Sequence, residues 1–209
     1  MAIIDNEILD KMNYFTTGDA ATFFGEANVN VYLDRYTKGW SIIRIKRWLY
    51  VTQRRVDYIK KLNKRTSYLQ YLATNVLLTP SYLSTVYVLF LNNILTENVY
   101  TMTLVTSKKT TTLSNSFQRC VYQNIHDDLF WWYEIKKNGD FVYFQAYPEK
   151  ALLDWLWLKK DLVLSLDYFK ELRIRIELIN FTRLKQFVKK YNKRKIDTAF
   201  ILLQQLRWL

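Results

Sequence analysis

The sequence predicts an α+β protein: an N-terminal winged helix-turn-helix, then a mixed α/β domain with a small antiparallel sheet, then a basic helical C-terminal region. Three observations lead there. Short helix-periodic segments with cap residues precede two alternating stretches around a basic turn, all within the first 54 residues. From Tyr68 onward, strand-like alternation and helix-like periodicity are intermixed. Of the net charge of +12, most sits in two segments. The 209 residues are 50% hydrophobic with only four glycines and two prolines, so a packed core with tight connections is expected, not disorder.

Ile3, Ile4, Ile8, Leu9 and Met12 fall near helical spacing within residues 3–14, which predicts a short amphipathic helix. Thr17 reads as the N-cap of "GDAATFF", and Gly25 as its terminator. Asn28 reads as the cap of a third helix, with Val29, Leu33 and Tyr36 as its buried stripe and Gly39 as its end. In "WSIIRIKRWLYVTQRR", Ile43 and Ile45 alternate with Arg44 and Lys46, and Trp48 and Tyr50 alternate with Leu49 and Val51. Two short strands around a basic turn make a hairpin, the wing. Trp48 at its tip is expected to plug the core rather than touch DNA.

Residues Arg35 to Arg65 carry eleven basic residues against one acid, Asp57, the footprint expected for a polyanion. The helix Asn28 to Lys38 would enter the major groove, and the wing would meet phosphate oxygens. The candidate DNA contacts are Thr17, Asn28, Asn30, Arg35, Lys38, Arg44, Lys46, Arg47, Arg54 and Arg55. Asp34 would repel phosphate but can accept from a cytosine amine, so affinity is expected to be phosphate-dominated with few base contacts. Three regions are expected: a winged helix over 1–54, a basic linker or connecting helix over 55–67, and an α/β domain over 68–209.

In that last region "TPSYLSTVYVLFLNNIL" reads as a helix with Pro80 at its start and Ser81 as cap. "NVYTMTLVTSKKTTT" reads as a strand followed by a polar turn over 107–112. "FQRCVYQNI" and "DFVYFQA" are further strands, and Asn138-Gly139-Asp140 turns "WWYEIKKNGDFVYFQA" into a hairpin. "YPEKALLDWLWL" starts a helix with Pro148 in its first turn, Glu149 at the dipole's positive end, and Asp154 paired with Lys150 at i, i+4. Residues 159–209 read as basic helices; Leu184, Phe187, Val188 and Tyr191 line one apolar face, with lysines opposite.

No Gly-rich phosphate loop, Walker pattern or nucleophile elbow occurs, so a non-enzymatic protein without cofactor is expected. Cys120 is the only cysteine and reads as a buried thiol. His126 with Asp127 and Asp128 is the one cluster that a metal-dependent nuclease could use, but adjacent residues converge poorly on one ion. The N-terminus does not resemble a signal peptide, and no run is long enough to span a bilayer, which leads to the expectation of a cytoplasmic protein.

The order of these segments resembles the AbiEi-type antitoxins, the regulator half of type IV toxin–antitoxin systems. The blocks that carry the resemblance are "IIRIKRWLY" (Ile42–Tyr50), "SYLS" (Ser81–Ser84), "NILTE" (Asn93–Glu97), "TSKKT" (Thr106–Thr110) and "YPEKALLD" (Tyr147–Asp154), over about residues 12–160. Trp48 and Asn93 stand where that family usually has glycine. The resemblance implies a winged helix that represses its own operon by binding operator DNA. It implies a second domain that counteracts a nucleotidyltransferase-like toxin without a stable complex, in the setting of phage defence. It also draws attention to Ser81, Tyr82, Ser84, Lys108, Lys109, Glu149, Lys150 and Asp154 as motif positions. A solitary winged-helix regulator or a protein-interaction module is the alternative, and a nucleic-acid-processing enzyme comes third.

Overall fold

The computed structural model describes residues 7–160 and 163–208. Ile3 and Ile4 of the first expected helix lie outside them. The chain divides into two compact units, Met1–Leu69 with Ser114–Gln118, and Gln70–Leu113 with Arg119–Leu209.

The first unit runs α1 (Glu7–Lys11), β1 (Phe15–Thr16), α2 (Thr17–Phe24), α3 (Val29–Lys38), β2 (Ile42–Lys46), β3 (Leu49–Thr52) and α4 (Gln53–Lys61), and takes in the start of α5 (Arg65–Leu72). Its three strands form an antiparallel sheet in the order β1-β3-β2. Leu9, Phe15, Ala20, Val29, Leu33, Ile42 and Tyr50 make one buried cluster. α2 is capped by Thr16, not Thr17: Thr16 Oγ1 accepts from the Asp19 amide, and Asp19 accepts from the Thr16 amide. The reciprocal box needs an acid three residues after the cap, which only Thr16 has. Asn28 precedes α3 in helical backbone and makes no side-chain cap. Of the two readings of the basic stretch after the hairpin, linker or connecting helix, the structure has a helix, the packed α4, because Val56 and Ile59 supply a narrow buried stripe among the charges.

The second unit continues from α5 through a π-helical turn (Ala73–Leu77) to β4 (Ser81–Leu83), α6 (Thr85–Leu91), β5 (Met102–Thr106), β6 (Thr111–Ser114) and β7 (Arg119–Asn124). A 3₁₀ turn (Asp127–Leu129), the hairpin β8 (Tyr133–Asn138) and β9 (Phe141–Ala146), then α7 (Pro148–Leu158), α8 (Leu166–Glu171), α9 (Phe181–Tyr191) and α10 (Arg194–Arg207) complete it. The sheet has six strands in the order β6-β7-β5-β4-β9-β8. It is mixed, not a small antiparallel sheet: β5 runs parallel to β7 and β4 parallel to β9. Side-chain alternation gives strand existence but not direction, so the pattern alone could not show this. "SYL" is a strand, not the head of a helix; the continuous apolar run that follows conceals the boundary. α7 packs against α6, α9 and α10.

Three helices end in the same way. Trp40, Asn63 and Asn93 sit at positive φ (58°, 55° and 57°) just past α3, α4 and α6. In each case the next amide reaches back to the carbonyl five residues earlier: Ser41 to Tyr36, Lys64 to Ile59, Ile94 to Leu89. These are Schellman ends, where glycine is the usual left-handed residue. Gly39 therefore does not supply the left-handed stop of α3; Trp40 does. Trp48 is also left-handed, at φ 63°, in the two-residue turn between paired Lys46 and Leu49. Replacing Trp48 or Asn93 with β-branched valine is expected to cost about 1–2 kcal/mol in urea unfolding, against little change for glycine. Unaltered midpoints for both valine variants would show that these turns are not left-handed.

Candidate functional site

Two groups of residues stand out, one in each unit. In the first, the β2–β3 hairpin exposes Arg44, Lys46, Arg47 and Trp48, and residues 41–53 include no acid. Trp48 is 59% exposed, so it is not a core plug. The tight turn fixes its Cα at the tip, and its indole stacks under the Arg47 guanidinium at 4.2 Å instead. The Thr17 amide donates to the Trp48 carbonyl at 3.2 Å, which ties the start of α2 to the tip. Thr17 itself is half-buried.

On α3, Asn30, Val31, Asp34, Arg35 and Lys38 are exposed, with Asn28 in the turn before it. Asp34 pairs with Lys38 at 2.7 Å, an exposed i, i+4 contact that offsets one of the two cations on that face. Arg54 and Arg55 turn to other partners: Arg54 pairs with Asp10 at 3.2 Å, and Arg55 donates to Asn13 Oδ1 at 2.8 Å. Both lie on the side of α4 that faces α1 and the loop after it. The hairpin and α3 thus hold most of the exposed cations of the expected DNA set; Arg54 is exposed too, but it and half-buried Arg55 also brace the unit.

In the second unit the blocks "SYLS" and "PEKALLD" meet. Lys150 and Asp154, one turn apart on α7, form an ion pair with both side chains 0% exposed. Asp154 Oδ1 accepts from Lys150 and from the Tyr191 hydroxyl (2.6 Å); Oδ2 accepts from Ser84 Oγ (2.7 Å) and the Tyr82 hydroxyl (3.2 Å). The ammonium of Lys150 also donates to Tyr82 and Tyr191 Oη, at 3.0 Å each, and lies 4.7 Å from the Trp131 ring. Every donor of Lys150 and two sites on each carboxylate oxygen are engaged, which is the condition for burying an ion pair.

Glu149, beside it, does not act only on its own helix. Its carboxylate accepts from the Asn180 amide (2.9 Å) and Arg183 Nη1 (3.3 Å), at the start of α9. Ser81 donates to the Leu78 carbonyl, and Lys108 and Lys109 are exposed in the turn after β5; none of the three joins the centre. Tyr191 is a member that the sequence pattern places only on an apolar face; its hydroxyl has no partner at i±4 to reveal it. His126, Asp127 and Asp128 lie exposed on one turn, and among the described residues no group of three or more ligand-type side chains could hold a metal ion.

Burial pushes the Tyr82 and Tyr191 hydroxyls well above the ordinary tyrosine value of 10.0, and the Asp154 carboxylate adds to the effect. Burial moves Tyr87 up to about 12, and Cys120 to about 12. The Lys150 ammonium is shifted down by burial, against the upward pull of Asp154.

No protein-family model and no curated protein matches the chain. No helix among the described residues is long and apolar enough to cross a membrane.

Asp154→Ala leaves Lys150 buried without its counter-ion and is expected to lower unfolding stability by about 3–5 kcal/mol in denaturant titration. A loss under about 1 kcal/mol would show that the centre is not closed to water. Tyrosines whose folded pKa is raised hold full stability below about pH 10 and lose it as pH rises further, because only the unfolded chain gives up their protons. Lys150 contributes oppositely, below its ordinary 10.5. Thermal unfolding is therefore expected to drop steeply above about pH 10.5, and the slope to be shallower in Tyr191→Phe.

Proposed function

We propose that the chain is a DNA-binding transcriptional regulator whose first unit is a winged helix-turn-helix. In this reading it is the antitoxin of a type IV toxin–antitoxin pair: it represses its own operon and counteracts a nucleotidyltransferase-like toxin without a stable complex. The observation that carries the DNA-binding half is the exposed, acid-free hairpin bearing Arg44, Lys46 and Arg47 beside the helix pair α2–α3. The element order α1-β1-α2-α3-β2-β3 and the sheet order β1-β3-β2 are what this reading expects, and they support it. So does the four-residue connection Gly25–Asn28, with Gly25 at φ 77°, between two helices. α3 would lie in the major groove and the wing would follow the phosphates.

The antitoxin half rests on the resemblance. Two of its blocks converge on one buried centre, as residues that specify a fold would. The two positions where the resemblance expects glycine, 48 and 93, are both left-handed, which is what glycine there would be for.

The test is a titration of the protein against its own upstream DNA and a scrambled duplex at two salt concentrations. Preferential, salt-sensitive binding is expected. Arg44→Ala, Lys46→Ala and Arg47→Ala together should weaken binding on both duplexes and lower the salt slope by about one for each phosphate no longer neutralised. Intact binding in the triple variant would sink the wing assignment. For the antitoxin half, co-expression with the neighbouring open reading frame should restore growth that the neighbour alone arrests.

A further inference from the structure

A cleft of about 440 Å³ opens in the first unit, at the base of the hairpin. Its floor is apolar, from Ile42, Ile43 and Val56. Among the described residues three cations line it, Arg44 from β2, Lys60 from α4 and Arg65 from α5, and no carboxylate does. Arg44 and Arg65 have no ion-pair partner among the described residues; Lys60 has only an exposed contact with Asp57 at 3.4 Å. Two aromatic side chains complete the lining. Phe117 comes from Ser114–Gln118, which belongs to this unit and is fastened to it: Asn115 donates to the Ile45 carbonyl at 3.1 Å and Gln118 to that of Leu69 at 3.2 Å. Trp40 is the other, one of several bulky residues at positive φ and the one of them that lines this cleft. A bulky aromatic residue occupies the left-handed end of α3, at φ 58°, with 78% of its surface in solvent. Helix termination does not need an indole there; glycine would serve. Neither burial nor backbone preference accounts for an indole at Trp40; its place in the lining beside three cations does.

We infer that this cleft binds a nucleotide: a base stacked against Trp40 and Phe117, with its phosphates on Arg65, Lys60 and Arg44. A flat ring gains from the two aromatic faces and the apolar floor, and the anionic tail gains from the cations around it. Ser116 also lines the cleft and offers a hydroxyl to a base edge or sugar; Thr37 and Gln53 already donate to the Leu33 carbonyl and to Asp57 but can still accept. The regulatory consequence rests on the DNA-binding reading given above. Arg44 belongs both to the cleft and to the wing, so a nucleotide phosphate on Arg44 removes a cation from the DNA-facing surface. Nucleotide and DNA then compete.

The probe is ADP, titrated into the full chain by calorimetry without DNA and without divalent metal. One site is expected. Trp40→Gly, which suits the left-handed backbone, and Arg65→Gln should each weaken ADP about tenfold or more while keeping the parent melting temperature. Trp40 is uncharged and is not among the DNA contacts, so duplex binding without ADP should persist in Trp40→Gly; Arg65 ends the basic footprint, so Arg65→Gln is read on ADP binding alone. In the parent, saturating ADP should weaken duplex binding, and in Trp40→Gly the same concentration should not. Absence of ADP binding overturns the site. Pyrophosphate binding as tightly as ADP overturns the nucleotide assignment, and so does an oligonucleotide single strand that binds where ADP does not. ADP binding that leaves duplex affinity unchanged overturns the competition. If the duplex is not bound at all, the DNA reading fails, while the ADP titration still decides the site.

Discussion

Asp154 reaches the interior of the second unit as a carboxylate, and four donors converge on it from β4, the residue after β4, α7 and α9. Removing a charge from water costs several kcal/mol, so the burial is sustainable only if those donors arrive together. Tyr82 and Ser84 are two residues apart along an extended segment and so point to one face. A one-residue slip of β4 would turn both away and leave the carboxylate short of half its partners. The same applies to α9, whose rotation would take Tyr191 from Asp154 and uncouple Glu149 from the Asn180 amide. This centre ties strand register and helix rotation to a single condition.

The first unit works by the opposite rule, leaving its charges outside. Its core includes a cluster of seven buried side chains, with Val51, Val56 and Ile59 buried beyond it, and its cations are spread over the hairpin, α3 and α4. Some of them are internally engaged: Lys38 with Asp34, Arg54 with Asp10, Arg55 with Asn13. Net charge therefore overstates what a polyanion meets. What distinguishes the hairpin is that its own sequence holds no acid among Arg44, Lys46 and Arg47.

Much of the fold is legible in the sequence, and the losses have physical causes. The β2–β3 and β8–β9 hairpins show as period-two alternation around turns, α7 by Pro148 and Glu149 at its start, and α9 as a clear helical stripe. β1 has two residues and no period to detect. β4 vanishes into an apolar run because a three-residue strand and a helix start look alike in hydrophobic content. The Lys150–Asp154 pair is local, one helical turn, and so can be read; Tyr82, Ser84 and Tyr191 come from 37 to 72 residues away, beyond any spacing rule. Trp48 reads as core on its bulk, yet turn geometry sets its direction. Trp40 gives no signal, because Gly39 beside it looks like a sufficient helix stop.

The fastening of Ser114–Gln118 to the first unit bears on how the chain comes off the ribosome. Residues up to Leu69 carry the helices and the hairpin, but one wall of the cleft, Phe117 with its anchors Asn115 and Gln118, is synthesised about 50 residues later. At ordinary translation rates that is a delay of roughly 3–10 s, long against the folding of a small helical unit. The nascent N-terminal unit waits through that interval with the flank beside Ile43 and Arg44 uncovered, and it is completed only when the strands before and after this segment have been made.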